Sequence, residues 1–192
     1  NPPESVIHLL EADPYYSTIT RLNVPIVFAS FIFCAWFSAS NQLSLLGYLA
    51  VALLAGSIGG YGLNIGHELG HKRKKLDIWL AKIVLAPAAY GHFFIEHNRG
   101  HHKHVATPED PASAKMGESI YRFAIRELPG AVIRAHYIEL LRMKKANKSA
   151  WSLDNEFLQA MLMTLGLYIS LVVWLGSSVI PYLFICAFWA MW

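Results

Sequence analysis

Glu96-His97-Asn98-Arg99-Gly100-His101-His102-Lys103-His104 holds four of the chain's nine histidines. His67 and His71 lie upstream, in Gly66-His67-Glu68-Leu69-Gly70-His71-Lys72. Imidazole is the commonest protein ligand for transition metals and binds them when neutral. So dense a cluster beside apolar sequence reads as a metal site. If helical, His67 and His71 at i and i+4 share one face; His97 and His101 repeat the spacing, and His102 follows directly. Five imidazoles exceed what one tetrahedral zinc with an open position needs, which points to two metal ions.

The flanking sequence points to a membrane. Of the 192 residues, 55% are hydrophobic and 15% charged, against about a quarter charged in soluble domains. The expected fold is all-α, a polytopic transmembrane helical bundle whose interfacial or cytoplasmic helices carry the histidine boxes. The length suits a single membrane catalytic domain over residues 1–192. A net charge of +3 is too small to suggest nucleic-acid binding. Cys34 and Cys186 sit inside apolar runs and read as buried hydrophobes, and with no Cys-x-x-Cys pair the stretch holds no iron–sulfur or rubredoxin-type site.

Residues 1–20 read as a polar lead-in along the membrane surface. Apolar runs then cover Leu22 to Ala39, with Pro25 in the first turn, and Leu43 to Gly66, joined by a turn at Ser40-Asn41-Gln42. Lys72-Arg73-Lys74-Lys75 makes the following loop cytoplasmic by the positive-inside rule, so the pair forms an in–out–in hairpin. The glycines of the second run suit close helix packing, with a substrate tunnel as the sharper alternative; Phe28, Phe31 and Trp36 are candidate lining. Residues 76–95 resemble a third span, but a crossing would place His97 opposite His71, so this segment should lie in the interface or dip in and return. Tyr121 to Lys145 reads as a basic amphipathic helix, broken at Pro129-Gly130, drawn to anionic lipid or an acidic partner. Phe157 to Leu175 is another span. Val179 to Trp192 would reach only about 21 Å as a helix, so the chain reads as a piece of a longer protein.

His67-Glu68-Leu69-Gly70-His71 also matches the H-E-x-x-H zinc protease helix, with Glu68 as general base, but that leaves His97, His101 and His102 unexplained. His8 and His136 are isolated and read as ordinary interfacial residues. Glu68, Glu96, His92, His104 and Asp110 are candidates to orient the metal-bound rings. Arg99 and Lys103 read as partners of these acids or of lipid headgroups.

Both boxes, and the continuation His104-Val105-Ala106-Thr107-Pro108-Glu109-Asp110-Pro111-Ala112-Ser113-Ala114, resemble the bacterial integral-membrane alkane 1-monooxygenases, the AlkB family of the histidine-box hydroxylases and desaturases. The resemblance implies a six-helix enzyme of the bacterial inner membrane, its metal site on the cytoplasmic side. It further implies two non-haem iron ions, O2 as co-substrate, an n-alkane substrate, and electrons from a separate or fused rubredoxin. The ligands it implies are His67, His71, His97, His101 and His102. The family's third box, His-x-x-His-His, is absent from the sequence, as is the Asn-Tyr-Ile-Glu-His segment before it, and the first two transmembrane helices are expected before Asn1. Fatty-acyl desaturation, aromatic-methyl hydroxylation and the zinc protease are the alternatives.

Overall fold

Helix starts follow capping chemistry. Asp13 precedes Pro14 and accepts a hydrogen bond from Tyr15 N at 2.8 Å, opening α1, Pro14–Ser40. Ser44 accepts from Gly47 N at 3.2 Å and opens α2, Leu45–Gly70. Then come α3, Lys75–Leu85, and α4, Phe93–Glu96, which runs into a π-helical turn, His97–His101, and a last short turn α5, His102–His104. Ser119 caps α6, Ile120–Lys145; Asn155 caps α7, Glu156–Leu175; and a 3₁₀ turn, Ser177–Val179, leads into α8, Ile180–Ala190. This computed structural model describes residues 13–192 together with Pro3, Val6 and Leu9, and among them it contains no strand.

Helices α1, α2 and α7 are long and apolar enough to cross a membrane. At about 1.5 Å per residue the 26 residues of α2 reach about 39 Å, more than the roughly 30 Å of a hydrocarbon core. Their outer faces keep Leu22, Ile26, Leu54, Leu165, Ile169 and Val173 exposed, as suits lipid contact.

Helix α2 is the hub, packed on α1, α3 and α8. Its glycines permit this. A Cβ at Gly56 would lie 2.9 Å from Trp189 Cβ, one at Gly60 3.2 Å from the Ala190 carbonyl oxygen, and one at Gly66 2.7 Å from the Leu85 side chain. These glycines pack helices, as the first of the two sequence readings holds. One buried cluster joins Phe31, Ala35, Ala52, Leu171, Tyr182 and Cys186; a second joins Val24, Val27, Ile65, Leu69, Val84 and Leu85 beneath the first histidine box. Tyr182 is pinned in the first cluster, its hydroxyl donating to the Phe31 carbonyl at 2.7 Å. Phe31 is therefore core, whereas Trp36 faces outward and Phe28 borders an apolar groove with Leu162 and Gly166.

The structure corrects several expectations. Helix α1 begins at Pro14, so residues 14–20 are not lead-in and Pro25 lies inside the helix. Helix α6 runs unbroken through Pro129, whose missing N–H frees one carbonyl only, while Gly130 allows an approach to Pro111 that a Cβ would close to 2.8 Å. Residues 76–95, by contrast, form no spanning helix, as expected from the need to keep His97 on the side of His71. Helix α3 has 11 residues, about 16 Å, and the chain then turns at Ala89, where φ is 53°, to bring α4 back beside the end of α2. Residues 1, 2, 4, 5, 7, 8 and 10–12 of the lead-in, with His8, lie outside the described residues.

Candidate metal centre

The first box sits on the last turn of α2. The helical period places His67 and His71 on one face, with their Nε2 atoms 3.1 Å apart. The last carbonyls of a helix lack partners within it, and here the second box supplies one. Asn98 Nδ2 donates to the Gly70 carbonyl at 3.0 Å and to the Phe94 carbonyl at 2.9 Å. A side chain at Gly70 would crowd Phe94, at 3.3 Å. The two boxes are thus docked through backbone and a side-chain amide.

The second box departs from the α-helical period. Over His97–His101 the backbone is π-helical, which aligns residues five apart. His102, rather than His101, meets His97, with Nε2 atoms 3.1 Å apart. Candidate ligand atoms of His67, His71, His97 and His102 all lie within 4.8 Å of one another. Two nitrogens each about 2.1 Å from one ion, at right to tetrahedral angles, are about 3.0–3.4 Å apart, so both 3.1 Å pairs have the spacing of neighbouring ligands. The donor set fits a transition metal.

His97 is the hub of these rings: its centroid is 4.5 Å from those of His67 and His102 and 5.2 Å from that of His71, and it stacks on Phe93. Burial, and then the neighbouring histidines, push its pKa down to about 4. It is neutral at physiological pH, the form that binds metal.

His101 stands beside this group, stacked on His97 at 5.5 Å, with Nδ1 2.8 Å from Asp110 Oδ2. Burial raises the Asp110 pKa, but hydrogen bonds from Ser113, His101 and Ala112 outweigh it and hold the carboxylate below its ordinary range. A carboxylate on one ring nitrogen is the usual partner of a metal-binding histidine, and it leaves Nε2 as the free donor.

The remaining candidates separate clearly. Glu68 is exposed and paired with Lys72 at 2.6 Å. Glu96 is buried behind the π turn, 3.6 Å from Arg134, and burial raises its pKa. His92 is buried against Tyr90 and Phe157 with no hydrogen-bond partner on either ring nitrogen, and burial lowers its pKa to about 4. The His104 carbonyl accepts from Thr107 Oγ1, and His104 is not in the four-ring group. His136 is exposed and edges onto Phe157.

Three arginines of α6, expected from sequence to face lipid or an acidic partner, turn inward instead. Arg126 holds Glu118 and the Pro111 and Ser113 carbonyls; Arg134 reaches the π turn; Arg142 holds buried Glu139, which also pairs with Arg99. Sequence carries no periodic signal for them: each eight-residue step from Arg126 to Arg134 to Arg142 rotates about 80° around an α-helix, so the three share no single face.

A family model described as "Fatty acid desaturase" matches residues 43–192. The chain belongs to that family. Curated relatives narrow the resemblance. It is 51% identical over 183 residues to alkane 1-monooxygenase 1 of Alcanivorax borkumensis and, over the same length, to alkane 1-monooxygenase of Ectopseudomonas oleovorans. Both alignments cover 95% of this chain and 45–46% of the relative, so the chain spans slightly under half the length of those enzymes. It is also 27% identical over 172 residues to the xylene/toluene monooxygenase hydroxylase component XylM of Pseudomonas putida, covering 87% of this chain and 46% of that protein.

Proposed function

We propose that the protein containing this chain is a membrane di-iron monooxygenase that converts medium-chain n-alkanes to 1-alkanols. One observation carries this reading: ligand atoms of four histidines from two separated boxes gather within 4.8 Å at the end of a membrane-length helix. The 51% identity to alkane 1-monooxygenases supports the choice of substrate. In the balanced reaction one O2, two electrons and two protons convert a terminal methyl to a primary alcohol and one water.

His67, His71, His97 and His102 would hold metal, with His101 added through the nitrogen that Asp110 leaves free. When bound, the two irons supply the oxidising power that no side-chain acid or base can bring to an alkane C–H bond. Burial keeps His97 neutral and ready to ligate. An alkane has no polar handle, so the apolar helices beneath the boxes select it by shape and keep water out. His71 and His102 are exposed, which suits electron delivery from a soluble donor such as rubredoxin. The Lys72-Arg73-Lys74-Lys75 loop beside them supports a cytoplasmic site in the bacterial inner membrane.

Hydroxylation of an aromatic methyl is the second reading, favoured by the XylM similarity. The metalloprotease reading is opposed by Glu68, which pairs with Lys72, and by the convergence of both boxes. The test is product analysis with the full-length protein in membranes, supplied with rubredoxin, its reductase and NADH. 1-Octanol from octane, with about two irons per chain, is the expected result. Turnover of only acyl chains or xylene would overturn the alkane assignment; one zinc per chain with peptidase activity would overturn the oxygenase.

A further inference from the structure

Arg134 of α6 reaches three groups of the second box. Its Nη2 donates to the Gly100 carbonyl at 3.2 Å, inside the π turn. Its Nη1 lies 3.4 Å from Asp110 Oδ1 and 3.6 Å from Glu96 Oε1. The side chain is 15% exposed, whereas those of Glu96 and Asp110 are 3% and 0%. Gly100 makes this possible, since a Cβ there would fall 2.7 Å from Glu96 Oε1 and 3.2 Å from Arg134 Nε. A planar guanidinium can serve a carbonyl and carboxylates together; an ammonium on a flexible stem cannot do so in a fixed geometry.

We propose that Arg134 is a positioning residue of the metal centre, holding the π turn that turns His102 toward His97 while keeping Asp110 aimed at His101. Both effects end on histidine nitrogens. The Gly100 carbonyl belongs to the turn that selects His102 over His101 as the partner of His97. Asp110 fixes the His101 tautomer through Oδ2, and Arg134 holds the other oxygen, Oδ1, of the same carboxylate. The six basic residues of α6 therefore divide: Arg134 is a building element of the centre, not part of a surface for lipid or a partner. This inference rests on the metal-binding reading above.

The test uses purified full-length protein loaded with iron-57, with iron retention measured against a graded chelator and each iron environment read by Mössbauer spectroscopy. Arg134→Gln and Asp110→Asn are each expected to weaken retention about 10–100-fold, the usual cost of losing a partner of a ligating histidine. Melting temperature and helical circular dichroism should stay close to the parent. Because the two share the Arg134–Asp110–His101 contacts, the loss in the double variant should be smaller than the product of the two single losses. Arg122→Ala, three turns earlier on α6, should retain iron as the parent does. Retention within twofold of the parent for Arg134→Gln, or a double-variant loss equal to the product of the single losses, would overturn the proposal. So would a loss of iron that only tracks a lower melting temperature, with Mössbauer parameters unchanged. If Arg134→Gln does not fold, Asp110→Asn decides alone: an unchanged iron signature there defeats the positioning role. A parent protein that binds no iron defeats the metal reading itself, and Arg134 with it.

Discussion

The two histidine boxes reach the same point by different physics. His67 and His71 stand on an ordinary α-helix, four residues apart, and helix period with the Gly66–Leu85 contact beneath them sets their direction. His97 and His102 stand five residues apart on a π turn that α-helical geometry would not align, and polar contacts tie that turn to other elements: its own Asn98 to α2, its Gly100 carbonyl to Arg134 of α6, and its own Arg99 to Glu139 and Glu156. The first box is a local structure placed by packing. The second is a tertiary structure placed by polar contacts. The π turn shifts the aligned pair from four to five residues apart, and that shift is what brings the ring of His102 to His97.

Ranked by effect, the experiments that separate the boxes begin at the ring both share. His97→Ala removes the hub against which His67, His71 and His102 pack. Loss of nearly all bound iron is expected, with helical content unchanged, as measured by iron per chain and circular dichroism. Retention of a full complement would show that the cluster is not the ligand set. Next is the packing under the first box. Gly66→Ala places a methyl 2.7 Å from Leu85, an overpacking cost of about 1–3 kcal/mol. Adding Leu85→Ala should cost less than the two single changes summed, because the collision is gone; strictly additive losses of melting temperature would mean that Gly66 is needed for something other than this contact. Asn98→Ala then tests the docking of one box on the other. It strips two hydrogen bonds from carbonyls at the box junction, about 1–2 kcal/mol in all. Faster amide exchange is expected around residues 67–71 and 97–102, with exchange in α8 unaltered.

The same division marks what could be read from sequence. The spanning helices, the turn at residues 40–42 and the first box follow from composition, spacing and capping residues. The approach of His97 to His67 follows from one constraint, that ligands of one site must share a side of the membrane. The pairing of His97 with His102 does not follow, because no residue in His97-Asn98-Arg99-Gly100-His101 announces a π turn by its own propensity. The turn depends on Arg134, 34 residues away from Gly100, and on room for Glu96 that only a glycine leaves. Arg134 itself was hidden among the basic residues of α6, since a charge on a helix looks the same in sequence whether it meets solvent or a buried carboxylate. Pro129 misled for the opposite reason: a local helix breaker sits inside a helix that runs on past it, beside the close approach of Gly130 to Pro111.

The smallest expected effect belongs to Glu68, and it sharpens the contrast between a local and a tertiary box. In a zinc protease this residue would act as the base, and replacing it would abolish activity while leaving the metal in place. Here its carboxylate sits on the outer side of the last turn, exposed and paired with Lys72 at 2.6 Å, an arrangement worth no more than about 0.5 kcal/mol. If the first box is only a helical platform for two rings, Glu68→Gln should leave iron content and octane hydroxylation within about a factor of two of the parent, a change small on the scale of 1.4 kcal/mol per factor of ten. Asp110→Asn, the corresponding change in the second box, should weaken iron retention at least tenfold, because Asp110 touches His101 whereas Glu68 touches solvent and a lysine. Equal losses in the two variants would erase the distinction and require a carboxylate role for the first box that its present geometry does not provide.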